Sequence, residues 1–435
     1  MVDSKIDSRD AARTAAWILF IAIVVGAASG MATWLFILAD RLGLQFFWQQ
    51  LPSMLAGVPT WAVSLGVVAV TTLAATLTVV LAGGRPFDMG GSEEAYNTHG
   101  RIDYRHLLSG TLFSLFSLFS GAPIGPEAPL TDINGGLGTF LAERFGLTGD
   151  QLKIIAYAGV AGAFSAFFGA APVGALLAIE LMSPRSQTIS RNMIVAGLAS
   201  GATAWVVYDL LGGEKVSAIL TFPAYPHVRV VDLALAVALG VVGGLLGLIY
   251  GGGLAKLRMA TQKLRTRPWL AGLAGGAVVA ATSLIAPSLL FSGQAQVDTL
   301  LTDAATIGAL TLILLGVGKL AISGWSLSTG YFGGPIFPLI FAGTSFGLAI
   351  CLLFPAIPQP VGALGLTTGM VVVAAVAPLS VTVFLSLLAG PNMTSVIAIA
   401  AVSAWVVRQL IAPTLPGVYR APGAEQGRAE SSESS

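Results

Sequence analysis

Charge is scarce in this sequence. Only 10% of its 435 residues are charged, whereas 55% are hydrophobic, and the mean hydropathy is +0.83. A water-soluble chain of this length could not cover its surface with so few charges. The composition therefore excludes a soluble globular protein and predicts one surrounded by a lipid bilayer. The net charge of +1 gives no reason to expect a nucleic-acid partner.

Cysteine and histidine are also rare. Cys351 is the single cysteine, so no disulfide can form within the chain. His99, His106 and His227 lie in or beside polar stretches, so no Ser/His pair for an intramembrane hydrolase can be placed at depth. Two carboxylates within apolar stretches leave an aspartyl-type intramembrane hydrolase as a remote alternative. We expect a protein that is not an enzyme and needs neither a metal ion nor a cofactor.

Apolar runs, in contrast, fill most of the chain. A helix needs about 20 apolar residues to cross the hydrocarbon core. Full-length candidates are residues 14–38, 59–82, 189–212, 229–256, 268–287, 303–324 and 392–411. Shorter segments cut by glycine and proline are 106–121, 127–145, 150–169, 171–183, 335–353, 360–377 and 378–390. Broken helices persist in lipid only where protein or a water-filled cavity satisfies their backbone groups. The pattern predicts an all-α, multi-pass membrane protein that encloses a polar site, and the 53 glycines favour close helix packing.

The two ends of the chain and its basic loops indicate an orientation. The apolar run that begins at Ala15 is too long for a signal peptide, which is the alternative, so an uncleaved first span is predicted. Residues 1–13 would be a cytoplasmic segment and 420–435 a disordered tail. Basic residues precede the first span and cluster at 185–191 and 256–267. The positive-inside rule places these regions and both termini in the cytoplasm, with the protein in the inner (plasma) membrane.

Glycine and proline landmarks indicate an internal repeat. Residues 125–129 (Gly-Pro-Glu-Ala-Pro) have a counterpart at 333–338 (Gly-Gly-Pro-Ile-Phe-Pro), and Ala171-Pro172 has one in Ala377-Pro378. The offsets are nearly equal, which predicts a first repeat at 14–212, a linker at 213–228 and a second repeat at 229–419. Interrupted hydrophobic segments at matching positions of two halves indicate a central binding site.

Glu127 is the most informative carboxylate. It follows a Gly/Pro-rich break and opens a new apolar segment, where free backbone N–H groups and the positive end of a helix dipole favour an anion. Its own carboxylate could occupy that position and leave it when protonated. The alternative is a first-turn glutamate that only complements the dipole, but carboxylates within membrane segments are usually functional.

Other polar residues give weaker signals. The break at 328–338 offers a second helix N-terminus, or only a packing turn. Asp132 could line the same cavity as Glu127 or cap a neighbouring helix, and Glu180 could admit protons or be an ordinary interfacial residue. Lys319 could bias the site towards anions or extend to the interface. Tyr419 could donate its hydroxyl to an anion or belong to the aromatic belt.

Four motifs in order resemble the chloride channel/transporter (CLC) family. Residues 125–129 resemble its Gly-Lys/Arg-Glu-Gly-Pro segment, and 334–338 lie where the family has Gly-x-Phe-x-Pro. Residues 168–180 are similar to its Phe-x-x-Pro-x-x-Gly-x-x-Phe-x-x-Glu helix, and 377–380 to its late Ala-Pro-Leu-Thr-Gly segment. The resemblance covers about residues 14–419. It implies two inverted repeats, a homodimer, and either anion/proton antiport or a passive anion channel, with Glu127 as gate and proton carrier.

Departures from the family pattern narrow the prediction. Met89 stands where the family has an anion-coordinating serine, as in its bacterial fluoride-exporting branch, and Pro126 replaces the basic residue before the gating glutamate. The family's internal proton-transfer glutamate falls at Leu181, beside Glu180. The sequence therefore predicts a fluoride/proton antiporter, with a chloride/proton antiporter or a passive channel as alternatives. The expected anion-binding residues are Met89, Gly125, Pro126, Ala128, Gly333, Gly334, Ile336, Phe337 and Tyr419, with Glu180 and Asp132 on a possible proton path.

Overall fold

The fold is helical throughout the part of the chain that the computed structural model describes, which comprises residues 2–83, 95–182 and 190–415. Met89, Tyr419 and the tail at 420–435 lie outside these residues. The first seven main helices are α1 (Val2–Gln45), α2 (Thr60–Leu81), α3 (Leu107–Phe119), α4 (Glu127–Arg144), α5 (Gly149–Phe168), α6 (Ala171–Met182) and α7 (Arg191–Leu210). A π-helical turn at Phe46–Gln50 and a short helix at Leu51–Met54 prolong α1.

The second series of helices repeats the first. It consists of α8 (Val230–Ala260), α9 (Pro268–Ile285), α10 (Gln294–Ile307), α11 (Ala309–Ser328), α12 (Ile336–Leu353), α13 (Gln359–Ala375), α14 (Pro378–Ala389) and α15 (Thr394–Ile411). Short helices at Val216–Ile219 and Gln262–Arg265 connect longer ones. Apart from α10, each member has a counterpart in the first series, so that α4 corresponds to α12 and α6 to α14.

Nine helical segments among the described residues are long and apolar enough to cross a membrane. They include Arg13–Met54, Gly149–Phe168 and Ile336–Leu353, and four further apolar helices are shorter. The full-length spans predicted from the sequence agree with these helices, with one exception. Two of the segments that the sequence assigns to the shorter, interrupted class, 150–169 and 335–353, are also long enough to cross the membrane. The exception is the span predicted at 303–324. There Gly308 adopts φ 81° and ψ 152° and separates α10 from α11, a conformation that glycine reaches without a Cβ penalty. The prediction of one continuous helix at 303–324 is therefore wrong.

Equivalent helices make equivalent close contacts in the two halves. A Cβ on Gly26 or Gly30 of α1 would overlap the backbone of Ser200 or Ala204 in α7. A Cβ on Gly240 or Gly244 of α8 would meet the backbone of Ala400 or Ala404 in α15 in the same way. Such small-residue stripes let helix backbones approach each other, which is how helices associate in lipid. The duplicated contacts show that the two halves share one packing plan.

The two halves meet at their interrupted helices. Gly125, just before α4, and Gly334, just before α12, form an isolated antiparallel bridge. The whole stretch from 121 to 130 is buried, as are most residues of α5, α12 and α13. The repeats therefore bring the N-termini of α4 and α12 together in the interior, and this junction positions the candidate site.

Candidate anion site

Glu127 is the first residue of α4 and lies in the protein interior. Pro126 precedes it with φ −80° and ψ 4°, so the helix begins only after the proline. Proline fits such an entry because its missing N–H would have had no partner within the helix. The Glu127 side chain is 1% exposed. The break predicted from the sequence therefore places a carboxyl group at a buried helix N-terminus.

The second helix N-terminus points at the same carboxyl group. Pro335 precedes α12, and the backbone N–H of Phe337 donates to Oε1 of Glu127 at 3.3 Å. The N–H groups of Ile336 and of Glu127 itself also lie near the carboxylate. Both helix dipoles thus present their positive ends to one carboxylate, an arrangement that favours negative charge.

Two glycines make room for this carboxylate. A Cβ added to Gly334 would overlap Oε2 of Glu127, and one added to Gly125 would overlap both carboxylate oxygens. Gly333 lies against the backbone oxygen of Gly125 and the side chain of Ile124. Glycine is therefore required on both sides of the carboxylate, because any side chain there would occupy its place.

One carboxylate oxygen has no partner. Oε2 of Glu127 is buried and accepts no hydrogen bond from the described residues. A buried acceptor of this kind usually binds water, a proton or an ion. No group of three or more His, Cys, Asp or Glu side chains suited to a metal ion occurs among the described residues. The unpartnered oxygen can take up a proton, and the two helix N-termini can bind another negative group in place of the carboxylate.

Aromatic side chains form one wall of the site. The Phe337 ring lies 5.8 Å from that of Phe167 and 6.1 Å from that of Phe168, between ring centroids. Phe168 in turn lies 4.6 Å from Phe384 of α14. These rings form a continuous cluster between the Phe337 end of the site and α14, whose first turn contains Ser380.

Glu180 lies at that first turn. Its carboxylate accepts the N–H of Leu379 at 2.7 Å, the N–H of Ser380 at 2.9 Å and the hydroxyl of Ser380. The residue is half-buried at the end of α6. Glu180 therefore caps the N-terminus of α14 from the other half of the molecule, a partner that the sequence did not indicate.

The remaining predicted residues are less closely gathered. Ala128 is buried one residue after Glu127, and Asp132 is half-buried in the second turn of α4. Lys319 is fully buried and does not extend to the interface: its Nζ donates to the carbonyls of Leu289 and Leu290 at 3.1 and 2.8 Å. Met89 and Tyr419 lie outside the described residues, so their roles stay predictions.

An open cavity of about 360 Å³ approaches the site on the Pro126 side. Ile124, Pro126 and Phe167 line it, together with Asp40 of α1. The ion pair between Arg41 and Glu214, 3.3 Å apart, borders the same cavity. The cavity provides a water-accessible route to the residues that immediately precede Glu127.

The sequence did not single out Tyr250. Its hydroxyl is buried on α8, within electrostatic range of the Glu127 carboxylate and beside the hydroxyl of Ser323 on α11. The available signal was a hydroxyl-bearing ring in the middle of an otherwise apolar span. Buried polar groups in membrane helices usually face the protein interior or a cavity, and this one does.

Comparisons with known proteins agree with this architecture. The profile of the family described as "Voltage gated chloride channel" matches residues 89–409. A relative from Salmonella newport (strain SL254), named "Putative ion-transport protein YfeO", is 25% identical over 370 residues, which cover 83% of this chain and 87% of that protein.

Two solved structures share the fold. The crystal structure of a slow cyanobacterial Cl⁻/H⁺ antiporter superposes with a TM-score of 0.77 at 22% identity, covering 91% of this chain and 94% of that one. A CLC-type fluoride/proton antiporter gives a TM-score of 0.75 at 17% identity, covering 91% and 96%. With its duplicated, interrupted helices and the matching profile, this chain is a multi-pass membrane protein that belongs to the voltage-gated chloride channel (CLC) family.

Proposed function

We propose that this protein is a proton-coupled anion antiporter that exports fluoride, with Glu127 as both gate and proton carrier. The observation that carries the proposal is the position of the Glu127 carboxylate, which accepts the N–H of Phe337 between two helix N-termini. An anion would bind best where that carboxylate now lies, so the two compete for one set of donors.

Protonation provides the coupling. A carboxylate gains from the two helix dipoles, whereas a neutral carboxylic acid gains much less. Glu127 would therefore leave the N–H donors when it takes up a proton, and a small anion would replace it. The backbone around Gly125, Pro126 and Ala128 and around Gly333, Gly334, Ile336 and Phe337 would hold that anion. Anion and proton thus move in opposite directions through one exchange.

The choice of fluoride rests on Met89, which replaces a hydroxyl donor expected for chloride. A chloride/proton antiporter is the second candidate, since structures with this fold include antiporters for either anion. We further propose a homodimer in the plasma membrane, with both termini and the basic loop at 256–267 in the cytoplasm. Glu180 and Asp132 remain proposals for the proton path.

Flux from proteoliposomes tests the function. Vesicles loaded with fluoride or chloride should release fluoride faster and move protons in the opposite direction. In Glu127→Gln, which keeps the shape of the side chain but cannot exchange a proton, anion-driven proton movement should be abolished, because no carboxyl group remains at the gate to carry the proton. Equal or faster chloride release would assign the protein to chloride, and coupled proton movement in Glu127→Gln would refute the mechanism.

A further inference from the structure

Two neighbouring helices carry buried hydroxyl groups that lack partners. Ser323, Ser326 and Ser328 of α11 are 0% exposed and Tyr250 of α8 is 8% exposed, yet none of their hydroxyl oxygens has a hydrogen-bond partner among the described residues. An unpartnered polar group costs free energy when it is buried, so most such groups in folded proteins bind water or a ligand. A cluster of them indicates a site that something polar occupies.

Tyr250 is unusual among the tyrosines. In the described part of the chain, every other tyrosine hydroxyl has a partner. Backbone carbonyls accept from three of them, in the pairs Tyr96–Lys153, Tyr157–Ala175 and Tyr208–Glu214. Side chains are the partners of the rest, in the pairs Tyr104–Glu143, Tyr225–Asp232 and Tyr331–Thr72. Among the described tyrosines, only the Tyr250 hydroxyl has no hydrogen-bond partner. Its ring lies beside Gly324 of α11.

The location of this hydroxyl connects it with the gate. It adjoins the Ser323 hydroxyl and lies within electrostatic range of both the Glu127 carboxylate and Arg258. Arg258 is eight residues further along α8, which corresponds to about 12 Å of helix. At that end the hydroxyl of Thr261 donates to the carbonyl of Ser328 at 2.7 Å, so α8 and α11 end together. Tyr250 and Ser323 thus lie between Glu127 and the basic end of α8.

We propose that the hydroxyls of Tyr250 and Ser323 form a further anion-binding position, on the Arg258 side of Glu127. Both would donate hydrogen bonds to one small monovalent anion that is entering or leaving the position held by the carboxylate. This inference rests on the proposed anion transport. The hydroxyls of Tyr250 and Ser323 would stabilise the anion in place of the hydroxyl that a serine at position 89 would supply.

The chemistry favours an anion as the occupant. A hydroxyl donates one hydrogen bond with its proton, and two converging hydroxyls replace part of the hydration shell of a small anion. Charge-assisted hydrogen bonds of this kind are stronger than those to water. Ser326 and Ser328 continue the hydroxyls of α11 towards its C-terminal end, so the anion would meet further donors on the way out.

Steady-state anion uptake into proteoliposomes tests the assignment, with fluoride and chloride as the probes. We expect Tyr250→Phe and Ser323→Ala each to raise the KM for the transported anion by about tenfold, the usual effect of losing one net hydrogen bond. Protons moved per anion should be unchanged. Tyr157→Phe is the matched control, because that hydroxyl is also buried but is bonded to the carbonyl of Ala175, and its KM should match the unsubstituted protein. Size-exclusion profiles establish that each variant is folded.

The outcomes separate the two proposals. Unchanged KM in folded Tyr250→Phe and Ser323→Ala, with normal transport by the unsubstituted protein, would overturn the hydroxyl site and leave the antiporter intact. A changed proton-to-anion ratio at unchanged KM would also overturn it, since the hydroxyls would then hold water for protons. If the unsubstituted protein moves neither anion, the transport proposal itself fails. Calorimetric titration of the purified protein with fluoride and chloride then tests the site by itself. Weaker anion binding by Tyr250→Phe than by the unsubstituted protein supports the site, and equal binding by the two proteins refutes it.

Discussion

Gly125 and Gly334 exchange two hydrogen bonds: each backbone N–H donates to the carbonyl oxygen of the other at 2.8 Å. The two residues occupy equivalent places in the two halves of the chain, directly before Pro126 and Pro335. The reciprocal pair therefore joins one half to the other at the point where both helix N-termini face the Glu127 carboxylate. These two hydrogen bonds fix the backbone on both sides of the site. The space for the carboxylate depends on the absence of side chains at Gly125 and Gly334.

Replacing either glycine by alanine should displace the gate. In Gly334→Ala the new methyl group would overlap Oε2 of Glu127, and in Gly125→Ala it would overlap both oxygens. In Gly125→Ala the overlapping atoms are the far end of a flexible side chain, so the carboxylate should move while the fold persists. In Gly334→Ala the methyl group would also lie 2.9 Å from Cβ of Glu127, so the first turn of α4 must shift slightly as well. We expect the number of protons moved per anion to fall by at least about tenfold in proteoliposomes, because a displacement of about 1 Å at a reacting group can cost about 100-fold in rate.

The control for these variants is Gly66→Ala in α2, where an added Cβ meets no atom within 4 Å. Its coupling should equal that of the unsubstituted protein. Thermal unfolding in detergent should change little in all three variants. Normal coupling in Gly334→Ala would mean that the carboxylate does not need the position in which it is found.

The central features of this site could be predicted from the sequence because they depend on local chemistry. A Gly/Pro break followed by Glu127 marks a helix N-terminus, and its counterpart at 333–338 marks a second one. Which residues meet across the fold could not be predicted in the same way. The cap that Glu180 forms on α14 joins residues about 200 positions apart, and two of its three hydrogen bonds come from backbone groups that any sequence supplies.

The hydroxyl of Tyr250 illustrates the same limit. The stretch 229–256 is apolar on nearly every side, so its periodicity does not tell which face of the helix turns towards the site. The break at Gly308 was missed because glycine is common throughout this chain, and most of the other glycines serve packing. Composition and landmarks thus predict the architecture, while long-range packing decides which side chains line the site.

Removal of the Glu180 carboxylate should destabilise the junction between α6 and α14. Its oxygens satisfy the N–H groups of Leu379 and Ser380 and the Ser380 hydroxyl. We expect Glu180→Ala to lower the free energy of unfolding by about 1–3 kcal/mol, the range for hydrogen bonds to a charged group. Glu180→Gln keeps one acceptor oxygen and should lose less.

The exposed carboxylate of Asp298 provides the control, since Asp298→Ala should leave thermal unfolding unchanged. The same variants also test the proposed proton path. If Glu180→Gln couples protons to anions normally, Glu180 serves as a cap and carries no protons. If Glu180→Ala unfolds at the same temperature as the unsubstituted protein, the cap does not contribute to stability.

The matching glycine contacts predict matching costs in the two halves. Gly26→Ala should push α1 from the backbone of Ser200, and Gly240→Ala should push α8 from that of Ala400. Backbone atoms cannot move aside as a side chain tip can, so each variant should lose about 1–3 kcal/mol, the usual cost of overpacking. Thermal unfolding of the purified proteins measures both.

Gly253→Ala, also in α8, adds a methyl group that meets no atom within 4 Å, and it should unfold like the unsubstituted protein. Similar losses in Gly26→Ala and Gly240→Ala would fit a shared packing plan. If only one of these two variants is destabilised, the helices of the other pair can move apart without a loss of stability.

Lys319 forms hydrogen bonds with the loop at residues 289–291, which borders the cavity beside Pro126. Its ammonium donates to the carbonyls of Leu289 and Leu290 and lies 4.7 Å above the Phe341 ring. The next residue, Phe291, adopts φ 61°, which is costly for a residue with a side chain, and its N–H donates to the carbonyl of Gly121 before the gate segment. A buried ammonium stabilises this loop only if its hydrogen bonds outweigh the loss of hydration.

Two neutral substitutions of Lys319 separate the effect of its hydrogen-bond donors from the effect of its positive charge. Lys319→Gln and Lys319→Met both remove the positive charge, but only glutamine keeps N–H donors for the loop carbonyls. We expect Lys319→Met to be less stable than Lys319→Gln by about 1–2 kcal/mol, because it leaves the buried carbonyl of Leu289 unpaired. Thermal unfolding measures the difference, and faster hydrogen exchange at the Phe291 amide should accompany it in Lys319→Met. Equal stability and equal exchange in the two variants would show that the loop holds its strained conformation without these hydrogen bonds.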